Sequence, residues 1–446
     1  MLNKTVIELL RTIEGHGYVA LVVGGAVRDH LMSRAVKDID LATNMPLEMI
    51  SDLFSAHNVG RSRDFGMLSV GYKGMRFETI LLDDSLLRNG SAKAGHEYKS
   101  KLFKADARRR DFTINAMAMD AHANIFDPFN GQADIKNRLV RATINPIDRF
   151  SEDPIRLLRA VRLSAALDFE IDSRTFKAII KLSPSIADAA PERTGQEILK
   201  ICSLPGKSVD RGIRLMDQSG LLTYVLPELE ALKGLKHNPV HHPEGGVYEH
   251  TLSALEANEQ SDPVINLSIL FHDVGKAATL SHKDGLPVYY GHDKAGVEII
   301  RNMGRRLKMS SAIIQSMCFA AENHMKGLRI NEMRPFKVYK LMSHESWDVL
   351  EAVIKCDLAS RGKHEALEFE QDTASLRKRI KFWLDKENSK SDPVINGRDV
   401  MDITGLPQGP EIGKIIEETL RWAVDNDVRD KKIIQKYIQE VVKKNP

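Results

Sequence analysis

Strand-like segments crowd the first third of this chain and then nearly vanish, and that change of period restricts the fold more than any other feature. Residues 2–15 space Leu2, Val6, Leu9, Leu10 and Ile13 as one helical face. The apolar run Tyr18–Val23 predicts a buried strand, cut by Gly24-Gly25. Val27–Met32 predicts a short helix and Asp38–Ala42 a second strand. Residues 67–72 and 75–82 predict a hairpin turning at Lys73-Gly74, and the polar stretch 84–104 a loop. Strands alternating with helices make this part an α/β unit. From Ile147 onward the period is helical. Ser151–Leu167 carries an apolar stripe of Ile155, Leu158, Val161, Leu163 and Leu167 with arginines between, and helical patterns follow over 176–202, 208–222 and 248–360. The segments 233–247 and 386–393 read as breaks.

Length and composition narrow the class. A chain of 446 residues suggests about three domains. Lys plus Arg (64) nearly balances Asp plus Glu (61), so a polycationic tail is excluded and nucleic acid is left to local patches. Hydrophobic content of 42% excludes global disorder. Cys202, Cys318 and Cys356 lie too far apart in sequence for a disulfide framework or a zinc knuckle. Charge interrupts the first residues every few positions, unlike a secretory segment. The longest near-apolar run, Tyr18–Val27, is about half of the ~20 residues that a membrane span needs. A soluble, cytoplasmic protein is expected.

Two constellations carry chemistry. In the first, Gly24-Gly25 stands between a strand and a helix, where the backbone can approach a phosphate closely. Asp38 and Asp40, two apart on a predicted strand, would point to one side and hold divalent metal, with Mg²⁺ the natural choice beside substrate phosphates. Glu78, on another predicted strand, is a candidate third carboxylate. Two such metals would activate an attacking hydroxyl and stabilise a pyrophosphate leaving group. Arg108-Arg109-Arg110 offers guanidiniums suited to phosphate. In the second, His250, His272-Asp273, His292, His324 and Cys356-Asp357 bring imidazoles and carboxylates from separate helices, the donor set of one or two transition metals.

The segment LVVGGAVRDHLMSRAVKDIDLAT resembles the head of class II nucleotidyltransferases, which comprise tRNA CCA-adding enzymes and bacterial poly(A) polymerases. Asp106–Ala118 is similar to that family's nucleotide-clamping segment and Asp127-Pro-Phe-Asn-Gly131 to its closing turn. Arg149–Arg156 resembles its Glu-Asp-x-x-Arg motif, and Pro191-Glu192-Arg193 its later Glu-Arg motif. The resemblance implies nucleotide-binding roles for Gly24, Gly25 and Arg28, places Arg110 and Asp111 near the triphosphate, and puts Asn115 near the sugar. It implies that Asp153 and Arg156, read as i, i+3 on one helical face, form a protein template. An Asp accepting an exocyclic amino proton and an Arg donating to the ring would admit cytosine and adenine and reject uracil and guanine. Arg159 and Arg162 continue that helix and are expected to face phosphate or RNA. After Glu78 the sequence departs from the family. The following loop keeps about the usual length but carries Arg88, Lys93, His96 and Lys99 in place of the familiar acidic and arginine pattern, in the region implied in switching from C to A addition.

The ordered set His250, His272-Asp273, Asp357 resembles the HD metal-dependent phosphohydrolase domain, with His292 and His324 where two-metal versions carry extra histidines. Such a domain implies Mn, Ni, Fe or Co, and a phosphatase or cyclic phosphodiesterase activity. In the C-terminal part, Gly405–Lys414 reads as a glycine-rich helix start, and Arg377-Lys-Arg379 and Lys443-Lys444 as candidate RNA contacts. The expected architecture is multidomain, α/β followed by all-α. A nucleotidyltransferase head with a mixed sheet (1–140) precedes a helical neck and body for base and RNA recognition (141–232), a helical HD domain (233–360) and a helical tail contacting tRNA (361–446). The expected activity is addition of C and A to the tRNA 3′ end from CTP and ATP, with Mg²⁺ in the head. The alternatives are a poly(A) polymerase, a CC- or A-adding enzyme, and an HD phosphohydrolase whose head positions RNA.

Overall fold

The computed structural model describes residues 4–36, 38–57, 67–83, 95–236, 246–388 and 394–444. The chain divides into two compact units: residues 1–201 with 211–225, and residues 202–210 with 226–446.

The first unit is built on a seven-stranded mixed sheet. Its strands are β1 (Ala20–Val23), β2 (Asp40–Thr43), β3 (Ser55–His57), β4 (Met67–Tyr72), β5 (Met75–Leu81), β6 (Ala118–Met119) and β7 (Ile125–Phe126), in the order β3-β4-β5-β2-β1-β6-β7. Only β2 and β5 run parallel. Both faces are covered, which is why β1 reads as unbroken apolar sequence and not as alternation. Ala20 and Val22 pack with Val6, Leu9 and Leu10 of the helix Lys4–Gly15. Leu21 and Val23 face the other way, onto Leu102 and Phe103 of the helix His96–Ala107. The β4–β5 hairpin turns where expected, with both Lys73 (φ 46°) and Gly74 (φ 79°) left-handed, as a tight two-residue turn requires.

Helices follow, with one break the helical stripe did not predict. Ser151–Leu167 is not continuous: one helix, Pro146–Glu152, ends at Asp153, which is extended (φ −153°, ψ 99°), and the next runs Ile155–Leu167. Pro154 disfavours the helical region for the residue before it, and the chain breaks there. Strand also reappears later than expected, as a parallel pair between Leu139–Val140 and Glu170–Ile171 and a hairpin between Ser281–Lys283 and Leu286–Val288. Of the stretch expected as a loop, residues 96–104 belong to the helix His96–Ala107, which Gly95 precedes, while 84–94 lie outside the described residues.

The second unit is helical. One core gathers Phe336, Trp347, Leu350, Ile354 and Trp383. A smaller one joins the last three helices, Gly397–Thr404, Pro410–Asp425 and Lys431–Lys444, through Val400, Ile412 and Ile438. Gly405 (φ 71°) ends the first of these three as a left-handed cap, while Gly409 stands at the start of the second, the helix this segment was expected to open. Among the described residues no helix is long and apolar enough to cross a membrane.

Candidate active site and imidazole centre

In the first unit Asp40 lies within electrostatic reach of two further carboxylates, Glu78 and Asp38. Asp40 opens β2, where it lies opposite Val23 of β1 and in register with Glu78 of β5. Asp38 lies just before the strand, exposed, and is not within it. Burial, then Glu78, then Asp38 push the Asp40 carboxyl above its ordinary value, against the Arg110 guanidinium that lowers it. Hard oxygen donors so placed suit Mg²⁺, and a divalent cation is what would relieve their mutual repulsion.

Gly24 is the other edge of this site. Its backbone is left-handed (φ 77°), and a Cβ there would lie 3.2 Å from Arg110 Nη1 and 3.6 Å from Asp40 Oδ2. A side chain would therefore wedge the cation from the carboxylate. Arg110 is steadied by Asp106, to which Nε donates at 2.9 Å, and its guanidinium lies 5.8 Å from the Phe103 ring. Arg28 donates from Nη1 to Asn115 Oδ1 (2.8 Å) and from Nε to Asp29 (2.9 Å). Gly25 lies under the Arg28 guanidinium, whose Nη2 would be 3.4 Å from an added Cβ. The closing turn holds its motif residues as a unit: Asp127 accepts from the backbone N–H groups of Gly131 (2.7 Å) and Gln132 (2.9 Å).

Several residues expected to face a nucleotide are engaged elsewhere. Asp111 is buried and accepts from the N–H of Phe112 (2.9 Å) and from Arg159 Nε (2.7 Å). Burial pushes its carboxyl up, but Arg159, the Phe112 N–H and Arg156 together hold it below its ordinary value. Arg159 thus gives its Nε to Asp111, and Arg162 gives its Nε to Glu197 at 2.6 Å. Glu197 was not anticipated. It is buried, holds Arg162 and Lys200, and stands among Thr194, Ile198 and Ile201 in the buried stripe of its helix; a carboxylate inside such a stripe was the available signal.

Because of the break at Pro154, Asp153 and Arg156 do not share a helical face. Asp153 receives both terminal nitrogens of Arg193, at 2.9 and 2.8 Å, and also accepts from the N–H of Ile155. Arg156 donates to the Arg149 carbonyl (2.8 Å), Glu152 (3.1 Å) and the Arg109 carbonyl (3.3 Å). The two remain neighbours through a backbone bond from Arg156 N–H to the Asp153 carbonyl. Lys99, read as a loop cation, is buried and paired with Glu14 (2.6 Å) and Asp120 (3.2 Å), while the His96 ring stacks 4.9 Å from Phe126. Arg88 and Lys93 lie outside the described residues.

The second unit assembles all six anticipated metal ligands in its interior. His250, His272 and Asp273 bring ligand atoms within 4.8 Å of one another, and so do Asp273, His292 and His324. Asp357 joins through His250, with Oδ1 2.8 Å from Nε2. The ring nitrogens are ordered by the backbone. His272, His292 and His324 place Nδ1 at 2.7–2.8 Å from the carbonyls of Ile269, Tyr289 and Ala321. A carbonyl only accepts, so each Nδ1 is the protonated nitrogen and each Nε2 carries the lone pair.

Those lone pairs face acceptors. His292 Nε2 lies 3.2 Å from His324 Nε2, and buried His272 Nε2 has no hydrogen-bond donor. Ser360 Oγ donates to the Asp357 carbonyl (2.6 Å), so it accepts from His250 Nδ1–H (3.1 Å), which turns the lone pair of His250 Nε2 onto a carboxylate. Burial lowers the proton affinity of His324; at His272 burial acts the same way, but Asp273, Asp357 and the Ile269 carbonyl together raise it. A cation satisfies all of these acceptors together, and the donor set fits a transition metal.

The sheet, its carboxylate cluster and the glycine edge define a nucleotidyltransferase head of class II. Residues 20–141 match the poly A polymerase head domain, and residues 168–233 the family described as the probable RNA and SrmB-binding site of polymerase A. The multifunctional CCA protein of Halorhodospira halophila is 33% identical over 329 residues, 72% of this chain and 76% of that protein. The CCA-adding enzyme of Bacillus licheniformis is 37% identical over 230 residues, 52% of this chain and 56% of that protein. The crystal structure of the Bacillus stearothermophilus CCA-adding enzyme in complex with CTP shares the fold, with a TM-score of 0.71 over 99% of this chain and 98% of that one at 22% identity. The chain belongs to the class II CCA-adding family.

Proposed function

We propose that the protein is a tRNA nucleotidyltransferase that adds C and A to the tRNA 3′ end from CTP and ATP without a nucleic-acid template, releasing pyrophosphate. The observation that carries this reading is half-buried Asp40, repelled by Glu78 and Asp38, beside the side-chain-free edge at Gly24 and the guanidinium of Arg110. Asp38 and Asp40 would hold Mg²⁺, with Glu78 beside them. When bound, the ion lowers the cost of charge on the attacking hydroxyl and on the leaving pyrophosphate. Arg110 and Arg28, each anchored by a neighbour and so oriented in advance, receive the triphosphate. The 3′ oxygen forms its bond to the α-phosphorus as the bond from that phosphorus to pyrophosphate breaks. Asp153 accepts the exocyclic amino proton of cytosine or adenine while Arg156 donates to the ring. Arg193, forked onto Asp153, fixes the plane in which that carboxylate is offered.

The test uses three tRNA transcripts, ending before CCA, after C and after CC, each given Mg²⁺ and single labelled nucleotides and sized at one-base resolution. Ordered addition of C, C and then A is expected. Arrest after CC, a start only from CC, or a long A tail would each replace this reading with a partial enzyme or a poly(A) polymerase. Asp40→Ala is expected to abolish incorporation with the fold intact.

A second reading rests on the facing lone pairs of the imidazole centre. There the second unit binds a divalent transition metal (Mn, Ni, Fe or Co) and hydrolyses phosphate esters. Elemental analysis of purified protein, with hydrolysis assayed after adding each metal, tests it. Protein that neither holds metal nor hydrolyses p-nitrophenyl phosphate sinks it.

A further inference from the structure

Two cations sit against the carboxylates of the imidazole centre, and the second reading above gives them no role. Lys276 places Nζ 2.5 Å from Asp273 Oδ2, and its side chain is only 10% exposed. Arg361 spans the other carboxylate, with Nη2 3.0 and 2.8 Å from the two oxygens of Asp357. Arg361 is the more solvent-exposed of the two, at 24%, while its Nε is buried without a hydrogen-bond partner. As ligands, Asp273 and Asp357 need no cationic partner once metal is bound.

Charge decides what these cations are for. With four neutral imidazoles, the two carboxylates and the two side-chain cations cancel. Each divalent ion then leaves the centre two positive charges in excess, in a place where His250, His272, Asp273 and Asp357 are almost wholly buried. A surplus of that size is costly in a low-dielectric interior, so the loaded centre favours an anion. Metal on Asp273 and Asp357 weakens their hold on Lys276 and Arg361 at the same time. The two cations are then available, on the two carboxylate sides of one cluster, to a ligand with several acceptor oxygens. A phosphoryl group has that charge and shape, and an arginine fork is suited to it.

We propose that Lys276 and Arg361 are the oxyanion-holding residues of this centre and that the group they hold is a phosphoryl group. The inference rests on the metal-binding reading of the second unit. Whether the phosphoryl belongs to a monoester or to a cyclic diester is separated by the two substrates of the test.

The test uses the full chain loaded with Mn²⁺ or Ni²⁺, together with Arg361→Gln, Arg361→Lys and Lys276→Gln. Inorganic phosphate binding is measured by calorimetry, metal content by elemental analysis, and KM and kcat with p-nitrophenyl phosphate and with a 2′,3′-cyclic nucleotide. Arg361→Gln and Lys276→Gln are expected to weaken phosphate binding about tenfold or more while metal content holds. KM rises more than kcat falls, for whichever ester is the substrate, and Arg361→Lys recovers part of the loss. Wild-type phosphate affinity in both glutamine variants, at wild-type metal content, overturns the proposal and leaves the metal reading standing. Wild-type protein that takes up no metal overturns both. Should Lys276→Gln fail to fold, the two Arg361 variants decide alone.

Discussion

At the scale of single residues, the deepest commitments in the first unit are ion pairs that hold other side chains in place. Asp111 is the clearest case: a buried carboxylate tied to Arg159 and to its neighbour's N–H, and held below its ordinary value. A carboxyl whose folded pKa is depressed stabilises the fold above its unfolded value, and that stability is lost as pH falls through about 4 and below. Asp111→Asn is therefore expected to cost about 2 kcal/mol at pH 7, with Arg159 keeping part of its surface in water. The penalty shrinks toward pH 3, and urea unfolding of both proteins across that range measures it. An equal penalty at every pH would mean that packing, not charge, is what Asp111 supplies. Glu197 makes the same kind of contact with Arg162 and Lys200. Glu197→Gln is expected to cost about 1 kcal/mol or more of stability at neutral pH, read from urea unfolding, because Arg162 loses its charged partner. Wild-type stability in that variant would show that the charge of Glu197 is not what holds Arg162.

At the scale of elements, the break at Pro154 sets where the base-reading residues stand. Pro154→Ala removes the restraint that keeps Asp153 extended. A helix running through it would turn the carboxylate off Arg193, and misincorporation of U and G is expected to rise about tenfold in single-nucleotide assays. Unaltered selectivity would show that Arg193 alone suffices to hold Asp153. The closing turn packs just as closely: a Cβ on Gly131 would lie 2.3 Å from the Thr113 carbonyl. Gly131→Ala should accordingly lose ~2 kcal/mol or more of stability, read from thermal unfolding. Much at this scale was legible in the sequence. The apolar run of β1, the Lys73-Gly74 turn and the residues of the imidazole centre all carry local signals, namely period, turn chemistry and residue type. Asp153 was misplaced because the helical stripe continues on both sides of a proline whose effect is strictly local. The pairings of Arg159 and Arg162 were not legible for a different reason. Asp111 and Glu197 lie 48 and 35 residues away along the chain, and nothing in a linear pattern says which distant carboxylate a given guanidinium will meet.

At the scale of the whole molecule, the two units carry different candidate sites. Chelation is expected to lower the unfolding temperature of the transition belonging to the second unit, where His250, His272, Asp273, His292, His324 and Asp357 are buried together. The transition of the first unit should hardly move, and calorimetry with and without EDTA separates them. A single transition shifting as a whole would mean that the units unfold together.

The units are also interlaced along the chain, since residues 202–210 belong to the second while 211–225 return to the first. Asn266 donates to the carbonyls of Cys202 and Leu204, and a Cβ on Gly206 would lie 2.0 Å from the Leu255 carbonyl. No single scission separates such a chain into two whole pieces. A fragment ending after the first unit would carry a strip of the other with its backbone contacts missing, and a fragment starting at residue 226 would lack the strip that fills it. Neither half is a portable module, so an ancestor could lose or exchange one of them only by two coordinated events. That is a topological reason for the two units to be inherited together.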